Sequence, residues 1–250
     1  MTDKERFMYQ IMSEISKADA PIVFKGAMVT KLILAESGYT AVERQTRDID
    51  ANWVGAPPTM EVLVDTINNS FGELTNRVYA TAFREYGEKM SAGISICEKQ
   101  TDEELISMDV DMRPIHGSKL YNYGEIHIKG VLVNEILADK IAVLSGSKIF
   151  RRVKDLVDVY SLTHCVEVNT TDIFDLSSKT KNREIGDFND FCNRKQDLEH
   201  AYVKLKGIWN KPPFDSIYSY MVSFIRPFAV KDVAPRRWSI DKKEWQDVLH

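Results

Sequence analysis

The sequence predicts an α+β chain whose first half mixes strands with helices and whose second half is helical. Three observations carry that prediction. Between residues 77 and 129, the runs VYATAFREY, AGISICEK, LISMDVDM and GEIHIKG read as strands separated by turn residues. Beyond residue 130 the apolar residues recur three and four apart, in VLVNEILADKIAVLSG and FRRVKDLVDVYSL. No internal repeat or low-complexity linker interrupts the 250 residues. The change of character divides the chain into an α/β domain over 1–130 and a helical domain over 131–250.

The elements follow in order. Residues 4–18 place Phe7, Ile11 and Ile15 at helical spacing. PIVF (21–24) is a short apolar run after a proline and reads as a strand or extended link. AMVTKLILAESG (27–38) is a helix, with Gly38 standing where a C-cap would. Residues 47–54 read as a strand ended by GAPP, and 59–74 as a helix opened by Thr59. After the four strands of 77–129 and the two helices already quoted, helical patterns recur at 171–180, 187–206 and 214–227. From 229 onward no element is predicted. Trp209, Trp238 and Trp245 read as packing anchors rather than base-stacking platforms.

Composition bounds the rest. The chain is 44% hydrophobic and 28% charged, ordinary for a globular protein, so its length suffices for one sizeable core or two small ones. No run approaches the roughly 18 apolar residues of a membrane span, so no membrane partner is expected. The acidic start MTDKERFMYQ does not read as a secretory signal. Cys97, Cys165 and Cys192 lie far apart without a C-x-x-C, which excludes a disulfide framework and points to a reducing, cytoplasmic location. Counted from the sequence, residues 1–130 carry 14 basic and 20 acidic side chains and residues 131–250 carry 19 and 17, giving halves of −6 and +2. Neither is the strongly basic face of a dedicated nucleic-acid binder. The histidines (116, 127, 164, 200 and 250) show no metal-ligand spacing, and neither a phosphate loop nor a dinucleotide fingerprint occurs.

The chemistry concentrates in carboxylates. In RQTRDIDANW (44–53), Asp48 and Asp50 are two apart on a predicted strand and therefore share a face. Their repulsion calls for something positive between them. Upstream, FKGAM (24–28) sets a glycine at a helix start, where free N–H groups can hold phosphate oxygens. Downstream, LISMDVDM carries Asp109 and Asp111 on one face of another strand. Two acid-bearing strands beside a helix N-terminus suit a divalent cation on a nucleotide's phosphates. In the helical half, Asp155 and Asp158 lie three apart on one helix face, and a cation such as Lys140 or Arg152 would relieve them.

In order along the chain, FKGAMVTKL, RQTRDIDANW, ISMDVDM, NEILADKIAVL and RRVKDLVDVYSL resemble the motifs of the AbiEii/AbiGii toxin family, within the nucleotidyltransferase superfamily of the DNA polymerase β-like fold. The resemblance spans residues 24–162. It implies a nucleotidyltransferase-like N-terminal half with a mixed sheet and flanking helices, and a helical half that completes the active site and sets substrate choice. Gly26 and Ala27 would open the phosphate-holding turn, with Lys25 beside it. Asp48 and Asp50 would ligate the metal, Mg²⁺ or Mn²⁺, with Asp109 as third carboxylate. The apolar pattern favours Asp109, but Asp111 shares its face. Lys140 would contact the nucleotide's phosphates; Asp155 and Asp158 would complete the site, with Arg152 and Lys154 supplying positive charge. The family's first motif usually reads Gly-Gly or Gly-Ser, so Ala27 removes a hydroxyl contact to phosphate and keeps the backbone N–H.

The implied activity is metal-dependent transfer of a nucleoside monophosphate from a nucleoside triphosphate to a hydroxyl of RNA, such as a tRNA 3′ end, or of protein. The implied setting is a toxin–antitoxin or phage-defence pair with a cognate antitoxin. Two rivals stand beside it: a catalytically quiet binding or scaffold protein, motivated by Ala27, and a kinase on the same fold.

Overall fold

A capping box starts the first helix, α1 (Asp3–Lys17): Glu5 N donates to Thr2 Oγ1 at 3.2 Å and Thr2 N donates to Glu5 Oε2 at 2.9 Å. This computed structural model describes residues 1–88, 90–180 and 183–248. After α1 come β1 (Ile22–Lys25), α2 (Gly26–Glu36), β2 (Glu43–Arg44), β3 (Asp48–Trp53) and α3 (Met60–Asn69). Then follow β4 (Val78–Arg84), β5 (Ser91–Glu98), β6 (Glu104–Asp111), β7 (Ser118–Tyr123) and β8 (Ile126–Val131). The helical part holds α4 (Val133–Leu144), α5 (Val153–Leu162), α6 (Thr170–Lys179), α7 (Asn189–Asn193) and α8 (Lys195–Lys204). It ends with β9 (Ile208–Trp209), α9 (Phe214–Ala229), β10 (Arg236–Ser239) and β11 (Glu244–Asp247). The architecture is α+β.

The chain forms two compact units. One comprises Met1–Leu32 and Thr46–Leu132, the other Ile33–Gln45 and Val133–His250. The first is built on a seven-stranded mixed sheet in the order β4-β5-β6-β3-β1-β8-β7. Its β3–β6 and β1–β8 pairs are parallel and the others antiparallel. Ile49 and Ala51 of β3, Ile94 of β5, and Met108 and Val110 of β6 are buried. α1 packs on β8 and β1 through a buried stripe that includes Met8, Ile11, Met12 and Ile15; α3 packs on β4. Glu5, buried, accepts a 2.6 Å bond from Lys31 Nζ, so the cap also ties α1 to α2.

The second unit is mostly helical. α4 packs on α5 and α6, and α9 on α5 and α8. The tail is not irregular: β10 and β11 form a two-stranded ribbon in which Trp238 and Trp245 face one another across the strands. Both rings pack on Phe224 of α9, at centroid distances of 5.1 and 5.3 Å. They are packing anchors as expected, whereas Trp209 on β9 is exposed. β9 pairs with β2.

Other departures have local causes. The helix predicted over 59–74 starts on its Thr59 cap but ends at Asn69, because Gly72 takes a φ of +51° and the chain tightens into a 3₁₀ turn. The pattern at 187–206 is interrupted at Arg194 (φ −116°, ψ 38°), which separates α7 from α8. β7 escaped prediction because it is an edge strand whose side chains, apart from Tyr121, are exposed, so no apolar alternation marks it. Among the described residues no helix is long and apolar enough to cross a membrane.

Candidate active site

Strand register assembles the first group of acids. On β3, Asp48 lies opposite Ser107, Asp50 opposite Asp109, and Asn52 opposite Asp111 of β6. Across the other edge of β3, Asp50 lies opposite Lys25. Cross-strand partners share a face and alternate residues return to it, so all four aspartates belong to one face of the sheet. The intervening Ile49, Ala51, Met108 and Val110 fill the core. Asp48 is exposed and accepts a 3.0 Å bond from Thr46 Oγ1; Asp50 is half-buried.

Gly26 must be a glycine for two reasons. Its φ is +67°, the left-handed region that an L side chain rarely adopts. A Cβ there would also stand 2.0 Å from Asp50 Oδ2. The Asp50 carboxylate therefore fills the space that a side chain at position 26 would take. It sits against the start of α2, where the unsatisfied N–H groups and the helix dipole favour negative charge.

Asp109 and Asp111 differ sharply in their partners. Asp111 is buried; it accepts from Lys25 Nζ at 2.8 Å and from Arg113 N and Nε at 2.9 Å each. Burial alone would raise its carboxyl, but Arg113 and Lys25 outweigh that and bring it down to about 2. Asp109 has 43% of its side chain exposed, and it accepts from Arg84 Nη2 at 2.5 Å, a cation itself 48% exposed. Arg84 reaches it because β4 carries a bulge: Ala82 faces Ile94 and Arg84 faces Gly93, leaving Phe83 as the extra residue. The Phe83 ring leans on Gly93, where a Cβ would meet it at 2.4 Å.

Hard oxygen donors on one strand pair, with a glycine cradle that a Cβ would fill, fit an Mg²⁺ or Mn²⁺ ion in donor chemistry. The carboxylates do not converge: among the described residues no three His, Cys, Asp or Glu side chains meet as a metal-binding group. Arg84 draws Asp109 aside, and Lys25 and Arg113 occupy Asp111.

The second unit holds the other predicted residues. Lys140 of α4 donates to Asp155 Oδ1 and to Asp158 Oδ2 of α5, both at 2.8 Å. Arg44 of β2 forks onto the same Asp158, Nε to Oδ1 and Nη2 to Oδ2, both at 2.9 Å. The side chains of Lys140 and Asp158 are only 10% and 6% exposed. Burial pushes Asp158 up, yet Lys140 and Arg44 bring it down to about 2. Burial would lower Lys140, yet Asp158 and Asp155 hold it raised. Arg152 and Lys154, at the start of α5, are exposed. Ala27 follows Gly26 in the first turn of α2.

Sequence reasoning missed Arg44, Arg84 and Arg113. Arg44 stood inside the quoted RQTRDIDANW but pairs with Asp158, not with the two aspartates beside it. A bulge controls Arg84, and no spacing rule announces it. No protein-family model matches this chain, and no curated protein matches it either. Among solved structures it is similar to MenT4, a nucleotidyltransferase toxin of Mycobacterium tuberculosis H37Rv, with a TM-score of 0.39 and 17% identity over 65% of this chain. The match covers 61% of MenT4, so the chain spans about three fifths of that protein's length.

Proposed function

We propose that the protein is a divalent-cation-dependent nucleotidyltransferase, a toxin of the AbiEii/AbiGii type, that transfers a nucleoside monophosphate to a hydroxyl of RNA or protein. One observation carries the reading. The register sets Asp50 opposite Asp109 with Asp48 two residues along, and Asp50 rests against a glycine that cannot accept a side chain. Asp48, Asp50 and Asp109 would hold Mg²⁺, which supplies Lewis-acid polarisation of the phosphate and neutralisation of the leaving group. Gly26 and Ala27 would offer helix N-terminal N–H groups to the nucleotide's phosphates. Asp109 takes the proton of the acceptor hydroxyl as that oxygen attacks the α-phosphorus in line and pyrophosphate leaves.

Lys140, Asp155 and Asp158 enter this reading as an ion-pair frame of the helical unit, because two carboxylates already enclose the ammonium that the resemblance assigns to phosphate. Arg152 and Lys154 remain the exposed cations there for an anionic acceptor such as tRNA. A cytoplasmic location and a cognate antitoxin belong to the same proposal.

Incubation with each α-³²P-labelled nucleoside triphosphate, Mg²⁺ and total RNA tests it, beside an Asp48→Ala/Asp50→Ala control. Label on RNA, or on protein, that disappears in the control is the expected result. A parallel incubation with γ-³²P-labelled triphosphates, in which the γ-label transfers and the α-label does not, would instead establish a kinase. A folded sample that transfers nothing would support the quiet binding protein, a reading that the diverted Asp109 favours.

A further inference from the structure

On the proposed reading, the third carboxylate has to change partners before a cation can be held. One row crosses five adjacent strands in register: Arg84, Gly93, Asp109, Asp50 and Lys25. Asp109 and Asp50 stand directly opposite each other, where like charges repel. Arg84 neutralises Asp109 from the β4 side. Beyond Asp109, its guanidinium makes two long contacts of 3.4 Å with Ser91 and lies 5.6 Å from the centre of the Phe83 ring. Phe83 and Gly93 hold the bulge that aims it. Both members of the pair are nearly half exposed, so the pair is screened and exchangeable. The ties on Asp111, by contrast, lie around a buried carboxylate.

We propose that Arg84 is a resident counterion that makes cation binding depend on nucleotide. It competes with a free divalent cation for Asp109. A cation that arrives on a nucleotide brings an anion as well, so the two salt pairs exchange partners: Asp109 takes the cation and Arg84 takes a phosphate oxygen. A bare cation offers Arg84 nothing in return. Arg84 therefore opposes loading by metal alone and assists loading by the metal–nucleotide complex.

The test measures Mn²⁺ binding by electron paramagnetic resonance, with no turnover involved. Wild type, Arg84→Gln, Arg84→Ala and Asp50→Asn are titrated with Mn²⁺ alone and with the α,β-methylene analogues of the four nucleoside triphosphates. In both Arg84 variants, Mn²⁺ alone should bind up to about fivefold more tightly, the scale of an exposed ion pair. The Mn²⁺–analogue complex should bind about tenfold more weakly, since a charge-assisted bond to phosphate is lost. Opposite signs are the signature, because a merely structural role would move both affinities the same way. Unchanged or parallel shifts, with wild type binding Mn²⁺ and Asp50→Asn not binding it, would overturn the role of Arg84 and leave the cation site standing. Equal binding by wild type and Asp50→Asn would overturn the site and the inference together.

Discussion

The molecule carries two groups of charged side chains built from the same residue types, and they differ in burial and pairing. On α4, α5 and β2, Lys140, Asp155, Asp158 and Arg44 set two cations against two anions, with four bonds of 2.8–2.9 Å around side chains no more than 22% exposed. On the β3–β6 face the acids are mostly accessible; Asp111 is the buried one, held by the partly exposed Lys25 and Arg113. A buried, fully paired cluster is costly to disturb and has little capacity left for a ligand. An exposed, loosely paired one is cheap to rearrange, which is what a site that loads and unloads a charged substrate requires. On the proposed function, the five ordered motifs thus divide into a frame and a site.

Breaking the frame should have the largest effect. Lys140→Met takes the Lys140 ammonium from Asp155 and leaves the buried Asp158 with Arg44 alone, and removing one partner of a buried pair costs about 3–5 kcal/mol. The midpoint of urea unfolding should fall accordingly. A loss under about 1 kcal/mol, together with a raised KM for nucleotide, would return Lys140 to phosphate binding and dissolve the contrast.

The next effect belongs to the site. Gly26→Ala strains a residue at φ +67° and pushes a methyl group into Asp50 Oδ2. Displacing a ligating carboxylate by about 1 Å costs about 100-fold in rate. Transfer activity should drop by that factor while the fold survives, as read by circular dichroism. A Gly26→Ala enzyme of undiminished activity would detach Asp50 from the chemistry.

How much of this was legible beforehand depends on the range of each interaction. The D-x-D face, the Thr59 cap and the Asp155/Asp158 pairing are set by spacings of two and three residues, and each was readable. The sequence left Lys140 or Arg152 as the cation for that pair; Lys140 takes the place because it lies buried on the facing helix, while Arg152 points to solvent. The different surroundings of Asp109 and Asp111 come from Arg113, Lys25 and Arg84, and two of those three reach across strands. Segment Ile33–Gln45 leaves the first unit for the second because β2 pairs with β9, more than 160 positions on, and a two-residue strand leaves no periodic trace. The ribbon of the tail escaped for the same reason, its four-residue strands being specified by the pairing of Trp238 with Trp245.

Acid sharpens the comparison more gently. Asp158 and Asp111 both titrate near 2 in the folded protein against an ordinary 3.8. A depressed carboxyl contributes stability that is fully present above its unfolded value and is lost as pH falls through its folded one. The melting temperature should therefore decline between about pH 4 and pH 2. In Asp158→Asn that acid limb should be shallower, although the variant starts less stable at neutral pH. An unchanged limb would remove Asp158 from the acid response.

The smallest stability effect gives the finest discrimination, and it lies within one strand. Asp111→Asn weakens a neutralising partner of Lys25 and Arg113, and hydrogen bonds to buried charged groups are worth about 1–3 kcal/mol. Asp109→Asn disturbs only an exposed pair, so its stability should stay within about 0.5 kcal/mol of wild type. Activity should invert that order. Asp109→Asn should abolish transfer, and Asp111→Asn should retain it below the new melting temperature. Two isosteric changes two residues apart on β6 thereby separate holding the sheet from holding the cation. If Asp111→Asn proved inactive yet fully stable, the assignment would pass to Asp111, and Arg84 would become an ordinary surface pair.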